Sequence, residues 1–239
     1  DNWRRISIPN MMEECRISYG DKRPDRVFTP GKLMCIGRNY AAHAAELGNA
    51  VPTSPMVFLK PASALIPSGA TVIIPIASED VHHEVELVCL IGKRGKNISE
   101  EDAMSHVAGF AVGLDMTARD IQQKAKEKGH PWSVAKGYDT FAPLGAFVPS
   151  ASVADPQALE VTLEVNGEVR QHGHTSDMIF PVARLIAYCS TIFTLMPGDL
   201  LFTGTPEGVS AVTPGDSLQA RITDLPSLEV RVSKQISIA

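Results

Sequence analysis

The chain has 239 residues, 44% hydrophobic and 21% charged, with a formal net charge of −5. That length supports one core-forming domain with a short arm, and the composition is that of a folded globular chain rather than a disordered one. The acidic balance without a basic block excludes a nucleic-acid partner as the working expectation, and no apolar run approaches the roughly 20 residues needed to span a bilayer.

Residues 1–30 are polar and mixed, an arm or edge hairpin ahead of a single domain over 31–239. The opening DNWRRISIPNMMEECRISYG lacks the apolar core of a secretory signal, and the four cysteines (Cys15, Cys35, Cys89, Cys189) form no CxxC pair. Reduced thiols in the cytoplasm are expected, or in the mitochondrion of a eukaryote. LMCIG (33–37) reads as a buried strand. The alanine-rich AAHAAELG (41–48) reads as a short helix closed by Gly48. PMVFLKP and ATVIIPI are β-like runs bounded by proline, and VHHEVELVCLIG (81–92) is a strand heading into the core. Ser99, with Asp102 three residues on, predicts a capped helix start. GFAVGLD (109–115) is a buried strand ending on Asp115, and TARDIQQKAKEKG (117–129) a polar helix closed by Gly129. In the C-terminal half, LEVTLEVNGEVRQHG alternates about Asn166-Gly167, the signal of a type I′ hairpin. FPVARLIAYCSTIFTL has the spacing of an amphipathic helix, and LLFTGTP is a strand between Pro-Gly-Asp turns. Many short strands with few helices predict a β-rich α+β domain. No Gly-rich dinucleotide fingerprint occurs.

Three groups of residues carry possible chemistry. Glu84 and Glu86 are two apart, so on a strand they share a face. If the strand ending on Asp115 lies beside them, three hard oxygen ligands converge, a set suited to Mg²⁺, Mn²⁺ or Ca²⁺ rather than Zn²⁺. The plainer alternative is a solvated edge-strand face with Asp115 capping the next helix. HHE is not half of an HExxH zinc helix, because Leu87 stands where the second histidine is needed. His82 and His83 would point to opposite faces of the strand. The second group is His43 with Glu46, one helical step apart, able to make an oriented imidazole base or merely an exposed pair. The third is cationic: Lys60 in an apolar run, Lys136 in PWSVAKG, and Arg119 beside Gln122 on one helix face. These would hold a substrate carboxylate or a developing enolate, or serve as surface cations. FTGTPEGVS adds hydroxyl and backbone donors at Thr203 and Thr205, or is an ordinary turn.

Read together, GRNYAAHAAELG, PMVFLKPASAL, HHEVELVCLIG, GFAVGLDMTARD, GHPWSVAKGYDTFAPLG and LFTGTPEGV resemble the fumarylacetoacetate hydrolase family over about residues 30–210. Within that family the chain looks most like the short single-domain members described as acylpyruvases and oxaloacetate decarboxylases; unlike the larger fumarylacetoacetate hydrolases, which carry a further acidic metal ligand there, it has no acid in the six residues before His43. The resemblance implies a mixed β-sandwich roll with a few flanking helices, assembled as a homodimer. It implies Mg²⁺, with Mn²⁺ an alternative and Ca²⁺ able to occupy the site, on Glu84, Glu86 and Asp115. It implies catalytic roles for His43, Glu46 and Lys136, and substrate contacts from Arg38, Lys60, Arg119, Gln122 and Thr205. The implied substrate is a small 2-oxo acid. Hydrolysis of acylpyruvates or decarboxylation of oxaloacetate comes first, with oxaloacetate keto–enol tautomerisation or isomerisation in aromatic catabolism as alternatives. A β-sandwich that binds a divalent ion and a small acid without turnover is the competing class.

Overall fold

The computed structural model describes residues 11–18, 24–48 and 50–236. Two sheets organise it. The larger has eight strands, running Met56–Lys60, Leu33–Gly37, Leu200–Phe202, Val85–Ile91, Val107–Leu114, Ala142–Leu144 and Leu65–Pro67, with Val148–Pro149 also paired to Val107–Leu114. Its two end strands are close in the chain, separated by the single 3₁₀ turn Ala62–Ala64, so the sheet curls into a roll. The smaller sheet has five strands in the order Glu168–His174, Glu160–Val165, Ser217–Ile222, Leu228–Lys234 and Thr71–Ile74. No described helix is long and apolar enough to cross a membrane.

The central strand Val85–Ile91 is buried on both faces, which explains its nearly unbroken apolar run. Val85, Leu87, Cys89 and Ile91 face a core shared with the smaller sheet and the helix Val182–Ile192. Val88 and Leu90 face a second core inside the roll, where Cys15, Ile17 and Phe28 also pack. Glu86 has the parity of that second set. The pair Cys15–Ile17 and Arg26–Phe28 forms a short antiparallel ladder, so the described part of the N-terminal segment contributes to the core; the rest of the expected arm lies outside the described residues. All four cysteines are free and buried.

Local signals translate into the expected devices. Asn166 (φ 53°) and Gly167 (φ 82°) turn the hairpin of the smaller sheet. Ser99 Oγ accepts from the Asp102 amide at 3.2 Å and starts the helix Glu100–Ala103. Gly129, at φ 66°, closes the helix Arg119–Lys128. Two boundaries differ. VHHEVELVCLIG is not one strand: it breaks between Val81–His82 and Val85–Ile91, where the His83 amide leaves the ladder to donate to Ser210 O at 3.3 Å. The helix expected from residue 117 begins at Arg119, because Thr117–Ala118 stay extended and pair with Val81–His82.

Candidate active site

The acids meet because of strand register. Val85 pairs with Leu114 and Glu86 with Gly113, and the ladder continues as the Asp115 amide donates to Glu84 O at 2.8 Å. Glu84 therefore stands opposite Asp115, with Glu86 two residues along on the same face. All three side chains are buried, and one carboxylate oxygen from each lies within 4.8 Å of the others. Their surroundings differ. Burial pushes the Glu84 carboxyl up, but Lys136 and Arg119 beside it outweigh that and hold it well below the carboxylate range. Lys136 Nζ donates to Glu84 Oε2 at 2.8 Å, and Arg119 Nη2 to Glu84 Oε1 at 2.6 Å. Among the described residues no cation is in hydrogen-bonding contact with Glu86; Gly204 N donates to its Oε2 at 2.7 Å. Burial, with Asp115 and Glu84 adding repulsion, raises Glu86 well above its ordinary value.

Asp115 is held from two sides, by Lys136 Nζ at 2.8 Å and by Lys60 Nζ at 2.7 Å. Lys136, at the end of the short helix Ser133–Lys136, lines the cavity. Desolvation lowers its ammonium, yet Asp115 and Glu84 more than offset this and raise it, so it stays charged. Lys60, expected to contact substrate, stands beside Asp115. Its ammonium donates to the carbonyls of Met116, Lys136 and Phe141 and faces Asp115, leaving no proton for a ligand, and it does not line the cavity. Lys60 instead pins the backbone that carries Asp115 and Lys136.

The remaining cavity wall is assembled from separate segments. Arg119 Nη1 donates to Gln122 Oε1 at 2.8 Å, and both line the cavity. Arg38 also lines it, with its backbone at φ 59°, and its guanidinium has no hydrogen-bond or ion-pair partner among the described residues. A non-glycine residue held there carries local strain of a kind concentrated at functional sites. His43 is buried on the helix Ala41–Glu46, with Nδ1 3.3 Å from Glu46 Oε2. Burial lowers its imidazole, with Glu84 and Glu46 opposing, so the ring is neutral near pH 7. Glu46 is anchored by the Gly208 amide at 3.0 Å.

One loop thus serves three of these groups: after Leu200–Phe202, Gly204 N holds Glu86, Thr205 lines the cavity, and Gly208 N holds Glu46. Both glycines are at positive φ, 98° and 91°, and a Cβ at Gly204 would lie 2.6 Å from Asn39 Cβ. The sequence pattern left several contributors unread. Asn39 bonds Phe180 O and Thr203 O and so ties the loop down, and Lys126 and Trp132 line the cavity. Gln171 is fully buried in the otherwise exposed stretch EVRQ, and a glutamine at an inward parity position was the available clue.

The donor chemistry fits a hard divalent cation. Three buried carboxylates cluster their oxygens, Glu84 and Glu86 on the cavity wall with Asp115 beside them, and among the described residues Glu86 lacks the cationic contact that its two neighbours have. The comparisons agree. A family model for the fumarylacetoacetate (FAA) hydrolase C-terminal domain matches residues 32–233. The oxaloacetate tautomerase FAHD1, mitochondrial, of Arabidopsis thaliana is 50% identical over 212 residues, covering 88% of this chain and 95% of that one. The crystal structure of fumarylpyruvate hydrolase from Pseudomonas aeruginosa in complex with Mn²⁺ and pyruvate superposes with a TM-score of 0.86. It is 41% identical, over 95% of this chain and 98% of that one. A 5-carboxymethyl-2-hydroxymuconate delta-isomerase from Mycobacterium smegmatis is 35% identical with a TM-score of 0.80, over 90% and 87% of the two chains.

Proposed function

The chain belongs to the fumarylacetoacetate hydrolase family, and on that footing we propose that it is a divalent-metal-dependent enzyme that interconverts the enol and keto forms of a small 2-oxo acid, oxaloacetate foremost. The observation that carries this reading is the His43 imidazole, its Nδ1 3.3 Å from Glu46 Oε2, on the wall of the same cavity as Glu84, Glu86 and Lys136. The tautomerase name of the Arabidopsis relative supports oxaloacetate as the substrate.

A cation held by Glu84, Glu86 and Asp115 would polarise the 2-oxo group and offset negative charge building on its oxygen. Lys136 places a second positive charge on the same side of the cavity. Arg119, Gln122 and Arg38 offer donors to the substrate carboxylates. Glu46 holds His43 through Nδ1, leaving Nε2 for proton transfer. In the keto-to-enol direction neutral His43 takes a proton from C3 to leave an enolate, and the imidazolium then gives that proton to the C2 oxygen, restoring the neutral ring. In the reverse direction neutral His43 takes the hydroxyl proton and returns it to C3.

Acylpyruvate hydrolysis is the second reading, supported by the same dyad and by the fumarylpyruvate hydrolase likeness. There His43 would take a proton from water, the water oxygen would add to the C4 carbonyl, and the C3–C4 bond would break to give pyruvate and an acid. Oxaloacetate decarboxylation needs no water attack and should depend less on His43. The test is purified protein with Mg²⁺ or Mn²⁺, assayed in parallel on enol-oxaloacetate, keto-oxaloacetate and acetylpyruvate. Fastest turnover of acetylpyruvate would replace the first reading with the second. We also propose a homodimer, which sedimentation would check.

A further inference from the structure

Gln171 links the cavity to the histidine that the site itself leaves unused. Its Oε1 receives the Val85 backbone N–H at 3.1 Å, and its Nε2 lies 2.9 Å from Pro206 O. A backbone amide only donates and a backbone carbonyl only accepts, so the orientation of the side-chain amide is fixed. The other two contacts then have one polarity each. His83 Nδ1, 2.9 Å from Oε1, must donate, which leaves His83 Nε2 to accept from Ser210 Oγ at 2.9 Å. Thr205 Oγ1, 2.8 Å from Gln171 Nε2, must accept. The hydroxyl proton of Thr205 has no acceptor among the described residues, and Thr205 lines the cavity with His43, Arg119 and Lys136. Gln171, His83 and Thr205 are buried, so water does not compete freely along the relay.

We infer that Gln171, held by Val85 and His83, is a positioning residue that fixes the Thr205 hydroxyl as a hydrogen-bond donor to a carboxylate oxygen of the bound acid. This rests on the reading of the cavity as a 2-oxo acid site. A free hydroxyl can donate or accept. With the Gln171 N–H on one of its two lone pairs and no acceptor for its proton among the described residues, this one is turned to donate to an accepting group such as a carboxylate. The relay also gives His83 a role: turning the Gln171 amide over would set N–H against both the Val85 amide and His83 Nδ1–H, and oxygen against Pro206 O.

The test uses oxalate with Mg²⁺ as probe, its affinity read by calorimetry, together with KM and kcat on oxaloacetate. Thr205→Val should weaken oxalate by about tenfold to a hundredfold, the scale of one hydrogen bond to a charged group. The loss should fall on KM more than kcat, and Thr205→Ser, which keeps the hydroxyl, should restore most of the affinity. Gln171→Glu removes the donor and turns the hydroxyl proton toward the new carboxylate, so it should weaken oxalate in the wild-type background and add nothing in Thr205→Val. If that variant fails to fold, Gln171→Met is read for the same coupling. Unchanged oxalate affinity in Thr205→Val, or fully additive effects of the two sites, would overturn the relay. Wild-type protein that ignores oxalate with Mg²⁺ would instead sink the 2-oxo acid reading beneath it.

Discussion

Glu86→Gln separates the cost of the acidic cluster from its use. Glu86 is 1% exposed, and its protein donor is the Gly204 amide at 2.7 Å, whereas Lys136 contacts both Glu84 and Asp115. Glutamine keeps an oxygen for Gly204 and removes repulsion from the neighbouring carboxylates. Without metal, then, the variant should melt at the wild-type temperature or above it. With metal the order reverses. A ligand at 100 times its Kd stabilises by about 2.7 kcal/mol, which for a chain of this size is roughly 5–11 °C. Wild-type protein should show that gain with Mg²⁺ and Glu86→Gln should lose most of it, together with turnover. The assay is a thermal melt of both proteins with and without saturating Mg²⁺. A variant that melts well below wild type without metal, yet keeps the full Mg²⁺ gain, would refute the assignment of Glu86.

Asp115→Asn should behave oppositely, because it leaves Lys60 and Lys136 buried beside an amide; a loss of about 3–5 kcal/mol, roughly 6–20 °C, is expected in the metal-free melt. Metal affinity should rise with pH. Glu86 is raised in the metal-free protein, so binding displaces its proton, and titration calorimetry in buffers of different ionisation enthalpy should detect up to one proton released and up to about tenfold in affinity per pH unit. The same shift makes the metal-free protein lose stability as pH rises through the Glu86 folded-state value, so the thermal gain from Mg²⁺ should widen toward higher pH. At saturating metal, the acid limb of kcat/KM should lie below the ordinary imidazole value, because burial lowers His43 and the neutral ring is the active form. A limb above that value would contradict the base role.

The parts legible in the sequence are those fixed by short-range pattern: the Asn166-Gly167 hairpin, the Ser99 cap and the Gly129 stop, with the apolar stretch of 81–92 as a strand entering the core though not its break before Val85. Glu84 and Glu86 declared a shared face by parity, but Asp115 joins them through the pairing of two strands, which spacing alone does not give. Lys60 shows the same limit from the other side. A lysine in an apolar run announces burial, yet only the fold reveals that three carbonyls and Asp115 surround its ammonium. FTGTPEGVS is readable as donors at Thr203 and Thr205 or as an ordinary turn, and the amides of Gly204 and Gly208 that hold Glu86 and Glu46 carry no signal because every sequence has them. The histidine pair divides for a reason absent from local pattern: the strand breaks beside His83, which is buried against Gln171, while His82 pairs with Asp80.

The most direct test of the account is the decay of enol-oxaloacetate absorbance, followed with Mg²⁺ for wild type, His43→Ala and Glu86→Gln, against buffer containing Mg²⁺ alone. Wild type should show Mg²⁺-dependent acceleration, His43→Ala a loss of about 10²-fold or more, and Glu86→Gln no metal dependence. Wild-type decay equal to that of Mg²⁺ in buffer, or full acceleration in His43→Ala, would contradict it.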